Sequence, residues 1–180
     1  KGMSDRIEIH MIKSLLPGYF WIFPLPNGEA NVGLGMITKD MNEKKVNLKT
    51  ALFQQISENP LFTDRFAEAK LVSEVRGWNL PIASYHRKCY GDGFMLLGDA
   101  ASLIDPLSGE GVGYAMVSGR IAASIAVEAL EKNDFSERFL KKYDTILWDT
   151  LGPEIKANYR LQRLGKRFPF LLDKLMEKSQ

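Results

Sequence analysis

Residues 93–113 read GFMLLGDAASLIDPLSGEGVG, and the chain changes character within this segment. The apolar run over 93–97 predicts a buried strand that ends in Gly98-Asp99, and a loop containing Pro106 follows it. Alternating glycines at 109, 111 and 113 then predict a helix start, where a ligand can approach bare N–H groups at the positive end of the helix dipole. We expect Asp99 to accept hydrogen bonds from ligand hydroxyls; alternatively, Asp99 caps a helix and the glycines only permit close packing.

Outward from this segment, the pattern is strand-like before Gly98 and helical after it. Strands are predicted over 6–12, 19–25, 30–38, 70–76 and 93–97, and helices over 47–58, 109–130, 135–151, 154–168 and from Pro169. Asn27-Gly28 between two strand-like runs predicts a hairpin. In the first strand, Ile7, Ile9 and Met11 share one side, while Glu8 and His10 share the other. The helix over 109–130 has one apolar face, formed by Val112, Met116, Gly119, Ala123, Ala126, Val127 and Leu130.

Composition excludes several classes of protein. The chain has 180 residues, 45% of them apolar and 26% charged, which is typical of a folded globular chain. The net charge of +2 gives no general attraction to nucleic acid. The chain has neither a run long enough to span a membrane nor a secretory signal at its start. One cysteine and two distant histidines predict no metal site and favour a cytoplasmic protein.

Gly98-Asp99-Ala100-Ala101, followed by Asp105-Pro106 and Gly109-Glu110-Gly111, resembles the second flavin-binding motif of the para-hydroxybenzoate hydroxylase-like FAD oxidoreductases. The resemblance implies FAD as cofactor. It places Asp99 on a ribityl hydroxyl, and Pro106, Gly109, Gly111 and Val112 along the flavin edge. A helix N-terminus at that edge would stabilise negative charge on the reduced flavin.

A second motif narrows the family. Tyr19-Phe20-Trp21-Ile22-Phe23-Pro24, then eight residues, then Gly33-Leu34-Gly35, is similar to the Y-x-W-x-F-P…G-x-G signature of geranylgeranyl reductases. Residues 77–81 resemble the G-x-x-x-P segment of the same family. Side chains alternate along a strand, so Tyr19, Trp21 and Phe23 share one face. They form either a wall of the core or, as the resemblance implies, a polyprenyl-binding wall facing the flavin.

The resemblance implies the C-terminal part of a geranylgeranyl reductase-type flavoprotein of the α+β class. A mostly antiparallel substrate-domain sheet would precede C-terminal helices, without the N-terminal dinucleotide-binding unit. We expect a substrate-binding sheet region with a helical insert over 1–90, the flavin-edge strand, loop and helix over 91–132, and C-terminal helices over 133–180. The chain alone is expected to be inactive and not to hold FAD.

The implied activity is reduction of isoprenoid C=C bonds in lipid biosynthesis. Two alternatives remain: an FAD-dependent monooxygenase of aromatic substrates, and a non-catalytic lipid- or partner-binding fragment. No catalytic residue is identified, Tyr19 being a candidate proton donor by position only, and Cys89 lies in a predicted loop. Basic and apolar residues interleave over 160–178, which predicts either a solvated helical end or peripheral contact with a membrane.

Overall fold

The computed structural model describes residues 5–16 and 18–167. The chain forms two compact units, Lys1–Asn79 and Leu80–Gln180. Its class is α+β, with small antiparallel sheets followed by long helices, as predicted. No helix within the described ranges is long and apolar enough to cross a membrane. The three-part division at residues 90 and 132 stays a prediction, and the helix predicted from Pro169 lies outside the described residues.

The first unit is built on a three-stranded antiparallel sheet of β1 (Glu8–His10), β2 (Tyr19–Pro24) and β3 (Ala30–Gly35), in that order. The predicted hairpin turn between β2 and β3 is confirmed: Asn27 and Gly28 have φ of 64° and 76°. Asparagine and glycine tolerate this left-handed conformation, which explains why the turn forms here.

Three helices follow the sheet: α1 (Thr38–Glu43), α2 (Leu48–Glu58) and α3 (Thr63–Phe66). The Asn47 side chain caps α2 by accepting a 3.0 Å hydrogen bond from the Thr50 N–H. One face of the sheet packs on these helices around Phe20 and Phe62, whose rings stack with centroids 4.5 Å apart. The buried core of this unit consists of Leu15, Phe20, Ile22, Leu34, Ala51, Leu52 and Phe62.

Two predictions for the first unit are wrong. The strand predicted over 30–38 ends at Gly35, and α1 begins at Thr38. The strand predicted over 70–76 is irregular, with Leu71 and Val72 largely exposed. Strand propensity needs a neighbouring strand to pair with, and none in the described chain pairs with this segment.

The second unit begins with a short hairpin of β4 (Tyr90–Gly91) and β5 (Phe94–Met95). A 3₁₀ turn over Gly98–Ala101 leads to α4 (Val112–Lys132), and α5 (Glu137–Arg167) packs against α4. The buried strand predicted over 93–97 is therefore wrong in extent and burial, since only two residues pair and the Phe94 side chain is half exposed.

The helices predicted over 135–151 and 154–168 are one continuous helix, with Pro153 inside it. Its buried side chains follow a single stripe, formed by Leu140, Tyr143, Asp144, Leu147, Leu151 and Ile155. Proline removes one backbone hydrogen bond, but the stripe continues on both sides of it, so packing against α4 outweighs the loss.

The face of α4 that meets the core differs from the apolar face read from the sequence. Its buried residues are Tyr114, Ser118, Ala122, Ile125 and Ala129. The larger side chains of the predicted apolar face are exposed, namely Val112, Met116, Val127 and Leu130. The sequence pattern favours exposure of Tyr114 and Ser118, because both have hydroxyl groups. In the structure both hydroxyls make buried hydrogen bonds.

Candidate functional site

An aromatic row runs along the outer face of β2 in the first unit. The ring centroids of Tyr19 and Trp21 lie 6.1 Å apart, and those of Trp21 and Phe23 lie 6.0 Å apart. All three side chains are half-buried, whereas Phe20 and Ile22 on the opposite face enter the core. The three aromatic residues are therefore not a wall of the core, and their predicted role in substrate binding stays a prediction.

The Trp21 indole lies across the two glycines of the signature. Trp21 pairs with Gly33 in the β2–β3 ladder, and a Cβ added at Gly33 would meet the indole Cζ2 at 2.3 Å. The same addition at Gly35 would lie 3.7 Å from the indole Cζ3. The indole Nε1–H donates a 2.8 Å hydrogen bond to Asn31 Oδ1. The spacing of the signature thus has a physical cause: the β3 glycines leave room for the indole to lie flat on the sheet.

The Gly98-Asp99 turn of the second unit is held by its neighbours in the helices. Gly98 has φ of 51°, and a Cβ added there would approach the Ala115 Cβ to 3.0 Å. The Gly98 N–H donates to the buried Ser118 Oγ at 3.1 Å, and the Tyr143 hydroxyl donates to the Leu96 carbonyl at 2.7 Å. The turn therefore has a fixed position against both α4 and α5.

Asp99 is exposed, and its carboxylate has no hydrogen-bond partner within the described chain. No side chain caps the 3₁₀ turn at Leu97 or α4 at Gly111, so Asp99 is not a helix cap. A Cβ added at Gly111 would lie 3.3 Å from Asp99 Oδ1. The structure thus brings an unpaired carboxylate to the start of α4, beside a glycine.

Asp105 organises the loop between the turn and α4, a role that sequence reasoning missed. It is buried, and its Oδ1 accepts hydrogen bonds from the Leu107 N–H (3.0 Å), the Ser108 N–H (2.7 Å) and the Ser108 hydroxyl (2.7 Å). Its Oδ2 accepts from Asn158 Nδ2 at 2.6 Å and from the Tyr114 hydroxyl at 3.3 Å. Burial alone would raise the pKa of Asp105, but the donated hydrogen bonds lower it. The spacing of Asp105 and Ser108 is a signal that could have revealed this, because Asp often accepts from N–H groups two and three residues later.

The remaining predicted cofactor residues follow in the same loop. Gln162 of α5 donates to the Pro106 carbonyl, which ties the loop to the helix. Gly109 has φ of 75°, and its N–H donates to the Asp105 carbonyl at 3.0 Å. The Glu110 carboxylate accepts from the Gly113 N–H at 2.7 Å, and Val112 is exposed. Asp99, Pro106, Gly109, Gly111 and Val112 therefore lie along one turn, the loop that follows it and the first residue of α4.

Comparison with known proteins shows which proteins the chain resembles. Residues 4–77, which include the aromatic row, match the family model described as the geranylgeranyl reductase catalytic domain. The chain is 40% identical over 147 residues to digeranylgeranylglycerophospholipid reductase 2 of Methanopyrus kandleri, covering 82% of this chain and 36% of that protein. The chain is similar to these reductases over most of its length.

Further relatives extend the similarity into the second unit. The digeranylgeranylglycerophospholipid reductase of Thermoplasma acidophilum is 32% identical over 174 residues, which is 96% of this chain and 42% of that protein. A solved geranylgeranyl bacteriochlorophyll reductase-like protein from the same organism superimposes with a TM-score of 0.75 at 28% identity, covering 91% of this chain and 40% of its own. The chain thus spans about two fifths of the length of these relatives.

The residues at the turn fit a ribityl hydroxyl of FAD, the cofactor that the flavin-binding motif implies. Asp99 offers an unpaired carboxylate as acceptor for a hydroxyl, and Gly111 beside it has no side chain to obstruct an approach. Within the described ranges no group of three or more His, Cys, Asp or Glu residues is placed to hold a metal. The Asp99 carboxylate at the turn suits a polyol hydroxyl as its hydrogen-bond donor.

Cys89 is not a reactive group in the described structure. The thiol is buried and donates to the Arg87 carbonyl at 3.1 Å. Burial raises the pKa of Cys89 to about 11, and the nearby Asp144 carboxylate acts in the same direction. The thiol therefore stays protonated at neutral pH.

Proposed function

We propose that the protein containing this chain is an FAD-dependent oxidoreductase that reduces C=C bonds in the isoprenoid chains of a geranylgeranyl-type lipid. The observation that carries the proposal is the aromatic row of β2, which lies within the segment matching the catalytic-domain model and faces away from the core of its unit. Relatives with this segment are named digeranylgeranylglycerophospholipid reductases.

The cofactor would be held by Asp99 at a ribityl hydroxyl and by Pro106, Gly109, Gly111 and Val112 at the flavin edge. When bound, FAD would supply the hydride for reduction of the alkene. The chain's own part is to hold the loop in one conformation. Hydrogen bonds from Asn158 to Asp105 and from Gln162 to the Pro106 carbonyl support that role.

The substrate would lie on the aromatic row formed by Tyr19, Trp21 and Phe23. An isoprenoid chain offers only hydrocarbon surface, so binding depends on apolar area removed from water and on a flat, pre-formed wall. The position of the indole on Gly33 supports such a wall. Burial raises the pKa of Tyr19 and makes its hydroxyl a weaker acid, so its place in the candidate list of proton donors rests on position alone.

The division of the chain by role and its contact with a membrane belong to the same proposal. The chain would divide by role into a substrate-binding region over 1–90, a flavin-edge region over 91–132 and C-terminal helices over 133–180. Peripheral membrane contact by the C-terminal helix would suit a lipid substrate. The described part of α5 supports it, since exposed Leu161 and Leu164 lie beside exposed Arg160 and Arg163.

The test uses the full-length protein, purified with FAD and reduced chemically without oxygen. A lipid carrying geranylgeranyl chains is added, and the extracted lipid is examined by mass spectrometry. We expect the lipid to gain two hydrogen atoms for each double bond reduced, and a fully saturated lipid to be unchanged. Recovery of unaltered geranylgeranyl lipid from a preparation saturated with reduced flavin would contradict the proposal.

A further inference from the structure

In and beside strand β1, polar side chains face the helices and apolar side chains face outward. Glu8 and His10 face the helices of the first unit, whereas Ile7, Ile9 and Met11 face outward with 69%, 57% and 41% of their surface exposed. Burial of apolar side chains favours folding, so a strand selected only for stability would turn these residues inward. The outward apolar row therefore calls for a functional explanation.

An ion pair fixes which side of β1 faces the helices. The Arg65 guanidinium of α3 donates two hydrogen bonds to the Glu8 carboxylate, at 2.8 and 2.9 Å. The His10 ring lies edge-on to the Phe62 ring, with centroids 4.9 Å apart, and its Nε2 lies 3.0 Å from Glu8 Oε2. Shifting the register of β1 by one residue would break these contacts, so the strand is held with its apolar side outward.

The outward row of β1 continues the aromatic row of β2. Ile9 is the direct cross-strand partner of Trp21, and directly paired residues project on the same face of a sheet. Trp21 in turn pairs with Gly33 on β3. One sheet face therefore carries, in order across the strands, Ile9 of β1 with Ile7 and Met11 flanking the strand, the aromatic row of β2 and the glycines of β3.

We propose that Ile7, Ile9 and Met11 are part of the substrate-binding surface, and that they contact the hydrocarbon of the isoprenoid chain beyond the aromatic row. The inference rests on the proposed function, which supplies the occupant. Continuity of the β1 row with Trp21, inside the segment that matches the catalytic-domain model, supports this occupant over others. Ile9 has the central position, because it alone of the three pairs directly with an aromatic residue of β2.

The experiment measures retention of tritium-labelled geranylgeraniol by the full 180-residue chain on short gel-filtration columns. The test variant is Ile9→Thr, which keeps the β-branch and removes apolar surface. Ile9→Val is the conservative variant. Val72→Thr is the matched control, because Val72 is 71% exposed in the same unit but lies outside the sheet. Melting followed by circular dichroism confirms that each variant folds.

We expect Ile9→Thr to weaken geranylgeraniol binding about fivefold, and a second replacement, Ile7→Thr, to weaken it further. Ile9→Val should stay within about twofold, and Val72→Thr should bind like the parent chain. Trp21→Ala tests the proposed function separately. If Trp21→Ala abolishes binding while Ile9→Thr does not change it, the binding surface ends at the aromatic row. The inference about β1 is then wrong, and the proposed function is not affected. If neither changes binding, the proposed substrate site fails as well.

Two other occupants of the β1 row have their own outcomes. Sedimentation with phosphatidylcholine–phosphatidylglycerol vesicles tests a membrane, and sedimentation equilibrium tests a second copy of the chain. We expect Ile9→Thr to change neither. Loss of vesicle binding or of a dimer in Ile9→Thr, with geranylgeraniol binding intact, would overturn the inference.

Discussion

Replacing Gly33 by alanine should displace the Trp21 indole from the sheet. The added Cβ would lie 2.3 Å from the indole Cζ2 and 2.7 Å from Cε2, distances at which two carbons cannot remain. The indole is half-buried and can rotate away, so the strand itself need not move. Rotation would also break the hydrogen bond from Trp21 Nε1 to Asn31.

The cost in folding free energy should be modest, because opposing effects partly cancel. If the indole loses about a quarter of the roughly 200 Å² that a tryptophan side chain can bury, the loss is about 1.3 kcal/mol. The exposed hydrogen bond adds about 0.5 kcal/mol. Gly33 has ordinary negative φ, so alanine returns about 0.4–1 kcal/mol by restricting the unfolded chain. We expect net destabilisation of about 1 kcal/mol, measured by urea unfolding.

The matched control is Gly35→Ala. Its added Cβ would lie 3.7 Å from the indole Cζ3, an ordinary van der Waals contact, so the indole should stay in place. The chain has three tryptophans, and their indole N–H signals can be followed by ¹⁵N–¹H NMR and assigned with Trp21→Phe. We expect the Trp21 signal to move in Gly33→Ala and to remain in Gly35→Ala. If the Trp21 signal does not move and geranylgeraniol binding is unchanged in Gly33→Ala, the indole does not depend on the space that Gly33 leaves.

Three further predictions concern the second unit. Asp105→Asn should lower the free energy of urea unfolding by about 2–4 kcal/mol, because an amide donor would face groups that now donate to a buried carboxylate. Since the pKa of Asp105 is lowered, the stabilisation by its carboxylate should be present above the ordinary value of 3.8 and be lost as the pH falls below it. A difference between parent and variant that does not change with pH would contradict this. Cys89 should resist iodoacetamide at pH 8 in the native chain and react once unfolded, because burial raises its pKa to about 11; equal rates in both states would show that the thiol is accessible. Asp99→Ala in the full-length protein should weaken FAD binding roughly tenfold to a hundredfold without changing the melting temperature of the apoprotein, and a variant that retains FAD as fully as the parent would remove Asp99 from the cofactor site.

Features governed by local contacts could be predicted from the sequence. The Asn27-Gly28 turn follows from the conformational freedom of two adjacent residues, and the start of α2 follows from the Asn47 cap. The signature of aromatic residues and glycines was also visible, and the structure adds its cause, which is the space that Gly33 leaves for the Trp21 indole.

Features that depend on distant partners could not be predicted in the same way. The buried stripe of α5 continues past Pro153 because distant partners contact both halves, Glu128 of α4 at Lys142 and Asp105 of the preceding loop at Asn158, and no signal near the proline shows this. The outward side of β1 depends on Arg65, which lies more than fifty residues further along the chain. Asp105 differs from these, since part of its role was visible in its spacing from Ser108, but its partner Asn158 comes from α5.

The most direct test of the central claim is the visible spectrum of the full-length protein during a single turnover. The bound FAD is reduced in the absence of oxygen, and a lipid with geranylgeranyl chains is then added. Hydride transfer to the alkene must leave the flavin oxidised, so the account predicts that the absorbance band of oxidised flavin returns with the unsaturated lipid and not with its saturated counterpart. A flavin that stays reduced with the lipid, and instead forms a hydroperoxide when oxygen is admitted with an aromatic substrate, would contradict the account and identify a monooxygenase.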